Sequence, residues 1–468
     1  MRTCFDFKFI FLLVFILSGR LAYPQSGDWI PLFNGKDLTG WKSLNGKAEY
    51  KVENGAIVGI SVMNEPNSFL CTEKAYGDFI LKLEVNVDPP LNSGIQFRSH
   101  SDKEYLNGRV HGYQCEIDPS RRSWSGGIYE EAGRGWLVNL SGNQKSQAAF
   151  LPGEWNKFRI EAIGDTIRTW INGVMGSDLV DENSSSGFIG LQVHMIGENA
   201  DMAGKKVRWR NINILTSGLM NSRIPPDPDV MEINYVPNSL TPWESDHGWK
   251  LLWDGKTTKG WKSAKSDEFP QKGWSIENGV LTVQEGTGGE SENGGDIITV
   301  NQYSNFILDV DFMITKGANS GIKYFVDPVL NKKAGSAIGL EYQLLDNLNH
   351  PDAREGVEGN RTLASLYDLI PAFNLTEGNS NIPFGGIETW NRARIIVRGN
   401  HVEHWLNYEK MVEYNRGSQT FKALVAKSKY NIWPGFGQAP QGNILLQDHG
   451  SEVHFRSIKI KVLSNSMQ

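Results

Sequence analysis

The 468-residue sequence holds only three cysteines, too few for a disulfide-stapled scaffold. It has no excess of basic residues. Its 47 Lys and Arg stand against 53 Asp and Glu, for a net charge of −6. Nucleic acid and anionic lipid reward basic patches, so neither is an expected partner. Several catalytic signatures are missing: there is no HExxH, no pair of CxxC motifs, no G-x-S-x-G elbow and no P-loop. Glu285-Gly286-Thr287-Gly288-Gly289 is not followed by the Lys-Ser/Thr of a phosphate cradle and reads as a loop. Apolar runs long enough to span a bilayer are absent.

The sequence is rich in glycine (50) and tryptophan (15), with 39% hydrophobic and 21% charged residues. That composition is globular, and many turns with many rings suggest β structure over a helical bundle. Residues 1–26 read as a signal peptide. Arg2 and Lys8 precede an apolar run at 9–17, and small and polar residues follow. The run is about half the ~20 residues a membrane span needs. Its removal predicts a periplasmic or secreted protein with no membrane span. Cys115, beside Ile117 on one strand face, is expected to be a buried free thiol.

The rest of the chain contains one unit twice. Leu32-Phe33-Asn34-Gly35-Lys36 returns as Leu252-Trp253-Asp254-Gly255-Lys256, and Asn92-Ser93-Gly94-Ile95 as Asn319-Ser320-Gly321-Ile322. Trp155-Asn156, Trp170-Ile171-Asn172, Gln192-Val193-His194 and Arg210-Asn211-Ile212 return, in order, at 390, 405, 447 and 456. A duplicated domain with loop insertions gives such a pattern. The units are assigned to 28–216 and 247–463, joined by a proline-rich linker at 217–246. Alternating segments such as Phe79-Ile80-Leu81-Lys82-Leu83 and Phe306-Ile307-Leu308-Asp309-Val310, bounded by Asn-Gly turns, read as hairpins of a sandwich. The fold class is all-β.

Alternation also sorts the side chains. Gln114, Glu116 and Asp118 share one face of a strand whose other face carries Cys115 and Ile117. Glu341 and Gln343 point outward in the second unit, with Asp346 just past the strand. Gln96 and Arg98, Gln192 and His194, and Gln447 and His449 are further outward polar pairs. A sheet bearing acids, amides and histidine in both copies is a candidate site. The recurring tryptophans, Trp41, Trp155 and Trp170 with their counterparts Trp261, Trp390 and Trp405, are expected in cores, whereas Trp124, Trp136 and Trp433, in glycine-bordered loops, are candidates for ligand contact.

Together these motifs resemble the 3-keto-disaccharide hydrolase family. The resemblance is carried by Phe33-Asn34-Gly35-Lys36-Asp37-Leu38-Thr39-Gly40-Trp41, the Asn-Ser-Gly-Ile strands, Glu341-Tyr342-Gln343-Leu344-Leu345-Asp346 and Leu446-Gln447-Asp448-His449-Gly450, and it covers both units. It implies two tandem concanavalin A-like, laminarinase-like jelly-roll sandwiches acting on 3-keto-glycosides. A ketone at C3 acidifies the C2 hydrogen, so a base can start elimination of the C1 substituent, and water can then add back. His194 or His449 and Glu116 or Glu341 would be the acid and base, with Asp118 a further acid. Arg98, Gln96 or Gln343 would polarise the ketone, and Gln114, Gln192, Asp346, Gln447 and Trp124 would contact substrate. No motif calls for a cofactor. A divalent metal suits the carboxylates, but no spacing places one. Two other readings stand: a retaining glycosidase using Glu116 and Asp118, and a carbohydrate-binding protein.

Overall fold

A computed structural model describes residues 27–286, 289–331, 335–372 and 383–464. The segment expected to be a signal peptide, 1–26, lies outside them. Asn54-Gly55 and Asn278-Gly279 each take positive φ at both residues, the type I′ geometry that matches strand twist and closes a two-residue hairpin. In Phe79–Val87 the residues Leu81, Leu83, Val85 and Val87 are buried, while Lys82 between them is exposed. Alternation therefore survives as a dry face and a wetter one.

In the first unit a nine-stranded sheet packs against a seven-stranded sheet. The central strands of the seven-stranded sheet run in the order Ile128–Glu131, His111–Ile117, Ser93–His100, Phe188–Val193 and Ser68–Thr72. In the second unit an eight-stranded sheet faces a five-stranded one, ordered Trp261–Ser263, Ile297–Thr299, Asn443–Leu446, Asn319–Asp327 and Ile338–Leu345. Each pair of sheets encloses its own apolar core. The chain is all-β, two tandem concanavalin A-like sandwiches. Cys71 and Cys115 are buried and free. Trp41 and Trp261 donate their indole N–H to the carbonyls of Leu32 and Leu252, each at 2.8 Å, which makes both structural; Trp155, Trp390 and Trp405, expected in cores, are instead half-buried, the first two under the guanidinium groups of Arg210 and Arg456.

The connecting segment is built into both units. Glu232–Asn234 adds a parallel strand beside Val174–Val180. Asn238 accepts from the Ser457 backbone and donates to the Gly279 carbonyl, each at 2.8 Å. Glu244, in a capping box with Thr241, forms a buried ion pair with Lys459. Tyr408 of the second unit is packed into the core of the first. No helix among the described residues is long and apolar enough to cross a membrane.

Candidate active site

The smaller sheet of each unit turns one face to its core and presents polar residues on the other. Strand register fixes which residues meet. Glu116 lies opposite Gly94, and Gln114 opposite Gln96. Leu191 pairs with Ile95, so the next rung sets Gln192 beside Gly94. One rung therefore carries Glu116, Gly94 and Gln192, and its neighbour carries Gln114 and Gln96. Gly94 is there for space: a Cβ would sit 2.2 Å from the Gln114 side chain, and at Gly321 it would sit 2.4 Å from Glu341.

Glu116 is buried, accepting from Asn92 Nδ2 at 2.7 Å and Gln114 Nε2 at 2.9 Å. Gln96 donates to Gln114 Oε1 at 2.6 Å, so an amide chain runs to the carboxyl. Burial pushes the Glu116 pKa to about 7, against the lowering pull of those amides and of Arg122. Gln192 is fully buried, and neither amide atom has a protein partner. A buried amide left so is costly unless something else meets it. Arg122 stands 3.7 Å from Glu116. Its guanidinium lies 4.7 and 4.9 Å from the ring centres of Trp124 and Trp136, which meet edge to face at 4.8 Å. The two indoles form a half-buried aromatic wall beside the acid.

The second unit arranges the same rungs differently. Gln343 lies opposite Gly321 and Glu341 opposite Lys323, so the acid has moved two residues along its strand. Lys323, which the sequence reading missed, takes the place of Gln96. It was legible, since Gly321-Ile322-Lys323 alternates as Gly94-Ile95-Gln96 does. Lys323 is buried 3.6 Å from Glu341 and bonds Ser336, which in turn bonds Asp296. Burial opposes its charge, but Glu341, Asp296 and Glu290 outweigh that and raise its pKa. Gln447 donates to Glu290 at 3.0 Å, and Tyr430 to Glu341 at 3.4 Å. Glu290 comes from a loop and Tyr430 from the short 3-10 helix Lys429–Ile432, where no strand periodicity marks them.

Three expected residues are placed differently. Arg98 sits in a β-bulge with φ +45°, which turns it off the polar face. It is buried, bonding the Gly77 and Gly164 carbonyls and pairing with Asp78 at 2.9 Å, so it cannot polarise a substrate beside Glu116. Phe325 holds the equivalent bulge, φ +50°. Asp346 caps its own turn, accepting from the backbones of Gly317, Leu348 and Asn349. Asp118 accepts from Ser120 N, Trp124 N and Arg122 Nε, the last at 2.8 Å. It orients Arg122 rather than facing a ligand.

His194 lies just beyond Gln192, half-buried, with Nδ1 2.6 Å from the Met195 carbonyl. His449 lies 6.5 Å, centre to centre, from His350 and close enough to Glu341 to lower its pKa, which burial raises. Among the described residues, the three-residue group able to hold a metal is His401, Glu403 and Glu413. It lies on the edge strand Glu409–Asn415 of the larger sheet and its neighbour His401–Leu406, not with Glu116 or Glu341.

Fold and face together define a carbohydrate-active β-sandwich protein. Residues 28–215 and 248–461 each match the 3-keto-alpha-glucoside-1,2-lyase-like domain, and the chain belongs to that family. It is 39% identical over 236 residues to a 3-keto-disaccharide hydrolase of Bacteroides thetaiotaomicron, a match covering 46% of this chain and 79% of that protein. Among solved structures it is similar to one from Parabacteroides distasonis described as a glycosyl hydrolase, at 32% identity and TM-score 0.42, covering 49% of this chain and all of that one. A carbohydrate-binding module from Bacillus subtilis matches at 18% identity and TM-score 0.28, covering 38% of this chain and 96% of the module.

Proposed function

We propose that the first unit cleaves 3-keto-glycosides by elimination and hydration, with Glu116 as the base. The observation that carries this reading is a buried carboxyl with a pKa of about 7, on one rung with a buried amide, Gln192, that lacks a protein partner. A base serves best when its pKa lies near the working pH. Glu116 takes the proton from C2, leaving an enolate on the C3 oxygen. The enolate re-forms the ketone and expels the C1 oxygen substituent, which gains a proton from His194 or solvent. Water then adds its oxygen at C1 and a proton returns to C2, so the net change is hydrolysis. The Gln192 amide and the Arg122 guanidinium are the donors suited to steadying the enolate oxygen.

The tying of Asp118 to its own loop counts against a two-carboxylate glycosidase. In the second unit the buried Lys323 beside Glu341 favours a carbohydrate-binding or differently specific role. The reading includes export, from the charged, apolar and small residues at the N-terminus. The test is turnover of a 3-keto-glucoside beside its unoxidised parent, by the full chain and by Glu116→Gln. Cleavage of the keto form only, lost in the variant, is expected. Cleavage of the parent would overturn the proposal.

A further inference from the structure

The two units meet across a cleft of about 240 Å³, lined by Arg134 and Trp136 of the first, Tyr235 of the connecting segment, and Asp311, Trp390 and Arg456 of the second. Trp136 also belongs to the aromatic wall at Glu116, through Trp124 and Arg122. Trp136 is thus shared by the cleft and the wall of the proposed site. Burial raises the pKa of Glu409 of the second unit, and the charge of Arg122 in the first opposes that rise.

Duplication supplies an internal comparison. In the first unit Arg210 lies over Trp155, 4.0 Å from the ring centre, and its Nε donates to Glu84 at 2.7 Å. In the second, Arg456 lies over Trp390 at 4.1 Å, opposite Asp311 in the same register. There Arg392 takes both Asp311 oxygens, at 2.6 and 3.1 Å. Arg456 Nε is left 3.7 Å from Asp311, buried and without a hydrogen-bond acceptor. Such a donor is costly unless a ligand meets it.

We propose that this cleft is a sugar subsite built jointly by the two units, holding the part of the glycoside beyond the ring cleaved at Glu116. The proposal rests on reading Glu116 as the reacting acid. The chemistry of the lining selects an uncharged pyranoside. A guanidinium lies over one side of each indole, Arg456 on Trp390 and Arg122 on Trp136, and the other face of such a ring suits the apolar C–H face of a sugar, with its polar edge left for hydrogen bonding. A sugar hydroxyl can accept from Arg456 and donate to Asp311, whereas an anionic ligand would meet the Asp311 and Glu388 carboxylates lining the same cleft.

The experiment compares kcat/KM of the full chain for a 3-keto-disaccharide and for methyl 3-keto-glucoside, whose aglycone cannot reach the cleft. Trp390→Ala is expected to lower the disaccharide-to-methyl ratio about tenfold, and Trp390→Phe, which keeps an aromatic face, to restore most of it. An unchanged ratio overturns the subsite. Should Trp390→Ala fail to fold, Arg456→Lys, which removes the Nε donor, carries the same readout. Calorimetry with the unoxidised disaccharide separates the two readings. Binding lost in Trp390→Ala, with neither keto substrate turned over by the wild type, keeps the cleft and overturns the role of Glu116. No binding to the wild type and an unchanged ratio overturn the cleft.

Discussion

Glu116 is an acid that the fold keeps from ionising easily, and its chemistry and its cost have the same source. Its folded pKa is about 7, against about 4.3 for a free glutamate. Below that lower value it is protonated in folded and unfolded chains alike and adds nothing to the pH dependence. As pH rises further the unfolded chain releases its proton first, so stability falls until about pH 7 and the loss is then complete. The loss is about 4 kcal/mol. The stability difference between wild type and Glu116→Gln is therefore expected to shift by about that amount in favour of the variant between pH 4.5 and 8, read by urea unfolding. A difference flat with pH would show that Glu116 ionises as freely folded as unfolded. The same titration governs activity, where the ionised form is the base. The proposed kcat/KM climbs toward pH 7 and levels off above it, and Glu116→Gln lowers it ~10²–10⁴-fold.

At the scale of the strand, the site depends on a glycine floor under the polar side chains. Gly94→Ala places a Cβ 2.2 Å from Gln114, so Gln114 has to leave its bond to Glu116. A stability loss of about 1–3 kcal/mol is expected, with an upward shift in the pH at which kcat/KM levels off, because the Gln114 bond is one of the contacts that hold the Glu116 pKa down. A variant that melts with wild type and keeps its pH profile would show that Gln114 does not shape the acid. Strand alternation is also what made the site legible. Gln96, Gln114, Glu116, Gln192, Glu341 and Gln447 lie on the outward face, as period two requires. It failed at Arg98 because a bulge inserts one residue and reverses every face beyond it, and nothing in the local sequence announces that insertion. Asp346 failed for another reason: past the end of a strand an aspartate serves its own turn. Glu290 reaches the second site from a loop and Tyr430 from a single 3-10 turn, too short for spacing to carry information about direction.

For the whole molecule the two units are not separate beads. Tyr408, on a hairpin of the second unit, is packed into the first unit's core, and Arg392 donates to its hydroxyl at 2.6 Å. Tyr408→Ala is expected to cost about 3–5 kcal/mol and to split one unfolding transition into two, seen by calorimetry. One unchanged transition would mean that the contact carries no coupling. The duplication and the β class were legible from ordered repeats and Asn-Gly turns. The tight seating of the connecting segment was not, because a proline-rich stretch looks alike whether it swings free or is pinned at Asn238 and Glu244.

The shifted acid carries a historical constraint. The first unit has Gln114-x-Glu116 and the second Glu341-x-Gln343, two replacements apart. Any stepwise route between them passes through either two acids or two amides on one strand face. A second buried carboxylate with no cation beside it is penalised heavily, and an acid at the Glu341 position has Lys323 beside it where the first unit offers only Gln96. The double-acid route is therefore open only to a copy that already carries the lysine. The double-amide route needs no such order, but it passes through a copy with no acid on that face, and a lineage can cross such a gap while its sister copy keeps working. Duplication makes that crossing survivable.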